Sequence, residues 1–216
     1  MYKRKLVDEE KEYLKKIVAF IKEKHRGSEG HDYSHVLQVT EMAMEIGEKI
    51  PEKADPFLIA CGSLLHDIGR VNKESGTFHG LEGAAIAEEY LEATGIPPMT
   101  IEKITRIIVR HTPTSMVPPE TAEEKIVYDA DTLDRLGWIG VLRGLLGKRG
   151  SIEDIFKYVI KRRKADYDKL HFEVSREMGK EDFFDLTFLV DKMEKALEKR
   201  HKELEIIEFL EMKKVA

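Results

Sequence analysis

The 216 residues are of a size for one domain, and 42% hydrophobic residues with 36% charged residues spread along the chain exclude wholesale disorder. Thirty-six Lys and Arg against 41 Asp and Glu give a net charge of −5, which argues against a protein whose main partner is nucleic acid or an anionic membrane. The single cysteine, Cys61, excludes an internal disulfide and cysteine-based zinc motifs, so any metal must be held by His and carboxylates. The opening MYKRKLVDEEK is charged throughout and no long apolar stretch follows it. No membrane segment is expected, and the compartment expected is the cytoplasm.

Apolar residues recur at steps of three and four, the period of helices, and no strand pattern is found. A first helix is expected over 8–25, with Tyr13, Leu14, Ile17, Val18 and Ile21 on one face, stopped by Gly27-Ser28-Glu29-Gly30. A second, from about residue 32 to before Pro51, carries Val36, Val39, Met42, Ala43 and Ile46. Asp55-Pro56 starts a third whose residues from Phe57 to Leu65 are apolar nearly all round, which predicts a central helix ended by Gly69. A fourth over 80–94 closes at Gly95-Ile96-Pro97-Pro98, and a fifth covers 100–110. The sixth is expected over 120–146, with Gly137 and Gly140 as close-packing points and Trp138 in the core. Ser151 caps a seventh. From about residue 180 the chain reads as long amphipathic helix, and its stripe of Leu186, Val190, Met193, Leu197, Leu204 and Ile207 is expected to dock on the body. The fold class is all-α: a compact multi-helix bundle in one domain over 1–216, with a motif core at about 30–145 and a C-terminal helical segment at about 151–216 closing it. A monomer or homodimer is expected.

Six of the eight histidines, at 25, 31, 35, 66, 79 and 111, precede residue 112. His66 and Asp67 end an otherwise apolar helix, where burial and the negative end of the helix dipole both disfavour a carboxylate, and a bound cation offsets both costs. Further ligands must come from other helices. His35 in the second and Asp131 in the sixth are the polar intrusions on offer, and Asp131 and Asp134 share a face while Asp129 points elsewhere and is expected to tolerate replacement.

The ordered set of His35, then Leu64-Leu65-His66-Asp67-Ile68-Gly69, then Ala130-Asp131-Thr132-Leu133-Asp134 resembles the HD-domain metal-dependent phosphohydrolase superfamily. The resemblance covers about 30–145, and the tail from Arg200-His201 onward is similar to that of the small stand-alone HD hydrolases. It implies an HD-type bundle in which His35, His66, Asp67 and Asp131 bind the metal. His79 and His111 match positions that supply a second metal site in some subfamilies and face substrate or water in others, so one and two ions are both open, and Asp67, His79 and His111 are the candidate catalytic residues. Two positions depart from the pattern: Arg70 stands where many relatives have lysine, and Thr132 where the small hydrolases have arginine.

The implied reaction is attack of metal-activated water on phosphorus, with a divalent transition metal (Mn, Fe, Co, Ni or Zn) as cofactor and a small phosphorylated metabolite, a nucleotide foremost, as substrate. Arg110, Arg70, Lys73 and Arg143 lie on or beside the motifs and are the candidate substrate-binding cations, Arg110 first among them. His25, His171 and His201 are expected to be solvated, His31 to be structural or to support a metal ligand from behind, Cys61 to be buried, and Lys161-Arg162-Arg163-Lys164 to be an exposed helical face. Two other functions stay open: a helical regulatory protein with a structural metal, and a metal-dependent nuclease acting on RNA ends.

Overall fold

The computed structural model describes residues 2, 4–26, 32–71, 78–113 and 115–215, with side chains through residue 207. The turn at 27–30, His31 and Lys73 lie outside the described residues. Every regular element among the described residues is helical. In chain order they are α1 (Asp8–Lys24), α2 (Tyr33–Lys49), α3 (Pro56–Leu65), a 3₁₀ turn (Ile68–Val71), α4 (His79–Glu92), α5 (Pro98–Arg110), α6 (Ala122–Leu136) and α7 (Trp138–Leu145). There follow α8 (Ile152–Ile155), a π-helical turn (Phe156–Ile160), a 3₁₀ turn (Lys161–Arg163), α9 (Lys164–Tyr167), α10 (Glu173–Met178) and α11 (Lys180–Val215).

The helix starts follow local chemistry. The Asp32 carboxylate accepts from the His35 amide at 3.0 Å, Asp55 accepts from the Phe57 amide at 2.9 Å ahead of Pro56, and Thr121 with Glu124 forms a capping box on α6. α3 is buried along nearly its whole length and divides two apolar clusters. On one side Ile17, Ile21, Leu65, Leu91, Ile104 and Ile108 join α1, α4 and α5 to it; on the other Val39, Ile46, Ile126, Leu133, Phe156 and Leu186 join α2 and α6 to the C-terminal helices. α6 has both flanks covered, which is why its three aspartates are all buried.

The predicted helix over 120–146 is two helices. Gly137 adopts extended backbone at φ −68 and ψ 163, and α7 folds back so closely that a Cβ on Gly140 would overlap the Asp134 carbonyl. Trp138 is not in the core: it is 49% exposed, and its Nε1 donates to Asp185 Oδ2 at 2.8 Å. The C-terminal stripe docks only in part. Leu186 and Val190 are buried and Met193 and Leu197 pack against the core, whereas Leu204 and Ile207 are exposed, because at roughly 1.5 Å per residue the helix outruns the body.

Other expectations change with burial. His25 is buried and not solvated as expected; His171 and His201 are exposed, His171 being anchored through its amide and Nδ1 to Asp129 at 2.9 and 2.8 Å, and Cys61 is buried. Asp129 itself is wholly buried and also accepts from the Phe172 amide at 3.1 Å. It pins the 170–172 segment to α6 and is not the tolerant position its helical face implied. No helix among the described residues is long and apolar enough to cross a membrane.

Candidate metal centre

α3 and α5 lie side by side because Gly62 has no side chain: a Cβ there would stand 2.5 Å from Cγ2 of Ile107. Their C-terminal ends therefore finish together, setting His66 and Asp67 just past α3 beside His111 just past α5. Gly69 does the same for α4. A Cβ on it would overlap the His79 carbonyl and stand 2.7 Å from the Gly83 nitrogen, so the 3₁₀ turn lies flat on the helix that begins with His79. α2 contributes His35 and α6 contributes Asp131, and all six side chains are buried. The partial negative charge at two helix C-termini adds to that of the carboxylates and favours a cation.

The six form two triads, His35 with His66 and Asp131, and Asp67 with His79 and His111, each with donor atoms within 4.8 Å of one another. Asp67 links them. Its Oδ2 lies 3.3 Å from His35 Nε2 and 3.6 Å from His66 Nε2, while its Oδ1 lies 3.7 Å from His79 Nε2 and 3.6 Å from His111 Nε2. Asp131 Oδ1 is 3.7 Å from His35 Nε2 and 3.9 Å from His66 Nε2.

The hydrogen bonds behind the rings decide which nitrogen is available. His66 Nδ1 lies 2.6 Å from the Ser63 carbonyl and His111 Nδ1 lies 2.6 Å from the Ile108 carbonyl. A carbonyl only accepts, so each Nδ1 carries the proton and each Nε2 keeps a lone pair. His35 Nδ1 is held at 3.1 Å by Asp134 Oδ2, and Asp134 is itself paired with Arg143. The Nε2 atoms thus face each other, His35 to His66 at 3.2 Å and His79 to His111 at 3.3 Å. Facing nitrogens among buried carboxylates call for a shared proton or a cation. Nitrogen and oxygen donors in this mixture suit a divalent transition metal, so the residues fit the cofactor the motif implies.

Protonation agrees with this. Burial pushes His66 down to about 3, against the pull of Asp67, so its ring is a neutral donor. Burial also disfavours charge on His35, but hydrogen bonds to Asp134 and Asp67 outweigh it and raise His35 to about 9, so without metal a proton supplies the counter-charge. At the second triad a side chain does so: Arg70 donates from Nε to Asp67 Oδ1 and from Nη2 to His79 Nε2, both at 3.2 Å.

A cleft opens beside the triads, and Asp67, Asp131, Arg70 and Arg143 stand on its wall. Arg110 is not among the cleft residues. Its guanidinium is turned to the Pro118 carbonyl at 2.6 Å, Glu120 at 3.0 Å and Glu124 at 3.5 Å, because the loop before α6 places these acceptors over the end of α5. The structure adds residues that sequence reasoning missed: Asp134 as the anchor of His35, and Arg135, Lys148, Tyr158, Arg162 and Arg163 on the cleft wall. The only signal for these was the 161–164 run, which is not the exposed face expected, since Arg163 is buried.

The family model for the HD domain matches residues 32–136, which hold both triads. Bacillus subtilis YpgQ is 30% identical over 185 residues, covering 78% of this chain and 85% of that protein. Its crystal structure in complex with ADP is alike in fold, with a TM-score of 0.66 at 23% identity over 87% of this chain and 96% of that one. A predicted HD superfamily hydrolase from an uncultured Thermotogales bacterium gives a TM-score of 0.59 at 25% identity, over 87% of this chain and 92% of that one. A tRNA (cytidine(56)-2'-O)-methyltransferase of Picrophilus torridus is 37% identical over 128 residues, 53% of this chain but 34% of that enzyme. With the motif residues assembled as two buried His/Asp triads, the chain belongs to the HD-domain superfamily of metal-dependent phosphohydrolases.

Proposed function

We propose that the protein hydrolyses a phosphate ester or phosphoanhydride bond of a small phosphorylated metabolite, a nucleotide, with a divalent transition metal (Mn, Fe, Co, Ni or Zn) as cofactor. The observation that carries this is Asp67, whose two oxygens serve the two triads at the wall of an arginine-rich cleft. His35, His66, Asp67 and Asp131 would hold a first ion, and Asp67, His79 and His111 a second. A metal there supplies Lewis acidity toward a phosphoryl oxygen and makes water a nucleophile at neutral pH. The protein's own groups do the rest. The Ser63 and Ile108 carbonyls and Asp134 hold the imidazoles in one tautomer, while Arg70 and Arg143 bring charge-assisted donors to a substrate phosphate.

The ADP bound by Bacillus subtilis YpgQ supports a nucleotide as the occupant of the cleft. A purely structural metal is disfavoured, because Asp67 and Asp131 lie on a cleft reaching the exposed Lys148 and Tyr158. The test is elemental analysis of the purified protein combined with phosphate and pyrophosphate release across nucleotides and phosphomonoesters, with and without added Mn. Turnover of small nucleotides that requires metal is the expected result. Cleavage of structured RNA alone would overturn the small-molecule reading.

A further inference from the structure

The cleft carries more positive charge than the carboxylates around it answer. Arg70 pairs with Asp67, Arg143 with Asp134, and Arg135 with Asp166 at 2.9 Å. Lys148, Arg162 and Arg163, also on the wall, have no carboxylate within ion-pair distance among the described residues. Arg163 is the sharpest case, with only 7% of its surface exposed. It donates from Nε to the Val159 carbonyl at 3.1 Å and from Nη1 to the Arg135 carbonyl at 2.8 Å, bonds that position the guanidinium without neutralising it. A buried cation in that state calls for an anion. Burial first, then Arg135 and Arg143 close by, lower it to about 10 against the weaker pull of Asp166 and Asp131, neither of which stands within ion-pair distance of it.

The basic run divides by helical register. Lys161 pairs with Glu194 and Lys164 with Asp191 on α11, at 3.8 Å for the latter, while Arg162 and Arg163 face the cleft. The π-helical turn just before them brings Tyr158 and Val159 onto the same wall. Opposite, Gly144 on α7 leaves a slot for the guanidinium: a Cβ there would overlap Nη2 of Arg163 and stand 2.7 Å from its Cζ.

Resting on the phosphohydrolase reading above, we propose that Arg163, Arg162 and Lys148 form an anion subsite, separate from the two triads, that takes a second phosphate group of the substrate not itself attacked. The substrate class is then a compound bearing at least two phosphate groups. Compounds with a single phosphate leave the subsite unused.

The test uses the full chain stripped of metal by chelation and inorganic pyrophosphate as the probe in titration calorimetry. Wild type should bind a single pyrophosphate. The double variant Arg162→Ala/Lys148→Ala, both exposed positions, should weaken binding at least roughly tenfold, the scale of one hydrogen bond between charged groups. Gly144→Ala, which displaces the Arg163 guanidinium while leaving the arginine in place, should do the same with a wild-type circular dichroism spectrum. In metal-loaded protein, the ratio of kcat/KM for nucleoside di- and triphosphates to kcat/KM for p-nitrophenyl phosphate should fall by a similar factor. Absence of pyrophosphate binding in wild type, unchanged binding in both variants, or equal losses on the two substrate kinds would overturn the subsite. If wild type hydrolyses no phosphorus compound at all, the reaction reading fails, and the metal-free titration still decides the subsite by itself.

Discussion

Asp67→Ala removes a ligand from both triads at once, since one carboxylate oxygen faces each. A four-ligand structural zinc site is worth about 10–16 kcal/mol, or about 3 kcal/mol per ligand, so the loss should weaken metal binding roughly 100-fold. With metal at about 100 times the wild-type dissociation constant, binding stabilises wild type by about 2.7 kcal/mol and the variant by about 0.4 kcal/mol. For a chain of this size each kcal/mol moves the midpoint by about 2–4 °C, so a metal-dependent rise of roughly 5–11 °C should shrink to about 1 °C. Thermal melts with and without Mn, read beside elemental analysis, measure both quantities. The variant should keep a helical spectrum, because Asp67 packs against the other ligands and Arg70 and not against the apolar clusters. A variant that retained its metal and its metal-dependent rise would refute the shared-ligand assignment.

Asp129→Ala, in contrast, leaves the Phe172 amide and the His171 amide and ring nitrogen without their acceptor, which at about 1–3 kcal/mol per stranded donor sums to about 3–9 kcal/mol and a midpoint lower by at least about 6 °C. Its metal content should be unchanged, and a midpoint within about 2 °C of wild type would show that the 170–172 segment is not held this way. His79→Ala with His111→Ala should lower bound metal by one ion per chain; unchanged stoichiometry with a reduced rate would assign both to substrate or water. Arg110→Ala should leave kcat and KM near wild type and lower stability by about 1 kcal/mol, since its partners are the loop and acids before α6. A large rise in KM with unchanged kcat would return Arg110 to the substrate.

What could be read in the chain follows from how narrowly each role restricts residue type. Helix starts depend on a single capping side chain, and Asp32, Asp55 and Ser151 all sit where local pattern puts them. Metal ligation admits few side chains and excludes them from apolar faces, so His35, His66 and Asp131 were conspicuous against their helices. His79 and His111 were harder, because a histidine at a helix end has many uses. Their pairing depends on Gly69 and Gly62 letting backbones approach, a contact between distant segments that has no period in the sequence. Asp129 and Trp138 misled for the same reason: burial of the first and exposure of the second are set by the 170–172 segment and by the break at Gly137.

The arginine wall shows where that limit bears on function. Its members come from the 3₁₀ turn after α3, from α6, α7, the loop after α7 and the irregular helix beyond it, and each is an ordinary charged residue in a chain that has 36 Lys and Arg. Nothing in their spacing separates Arg163, which is buried, from Lys161 and Lys164, which pair with α11. The separation arises from a break at Gly137 that turns α7 back on α6, from a glycine slot at Gly144, and from one π turn that shifts the register of the 161–163 segment. The triads and the HD motif place the chain among the metal-dependent phosphohydrolases. On the subsite proposed above, choice among phosphorus compounds falls to Lys148, Arg162 and Arg163, which lie outside the matched 32–136 segment. Two HD chains with the same ligands but a different break after α6 should therefore share a reaction and differ in substrate.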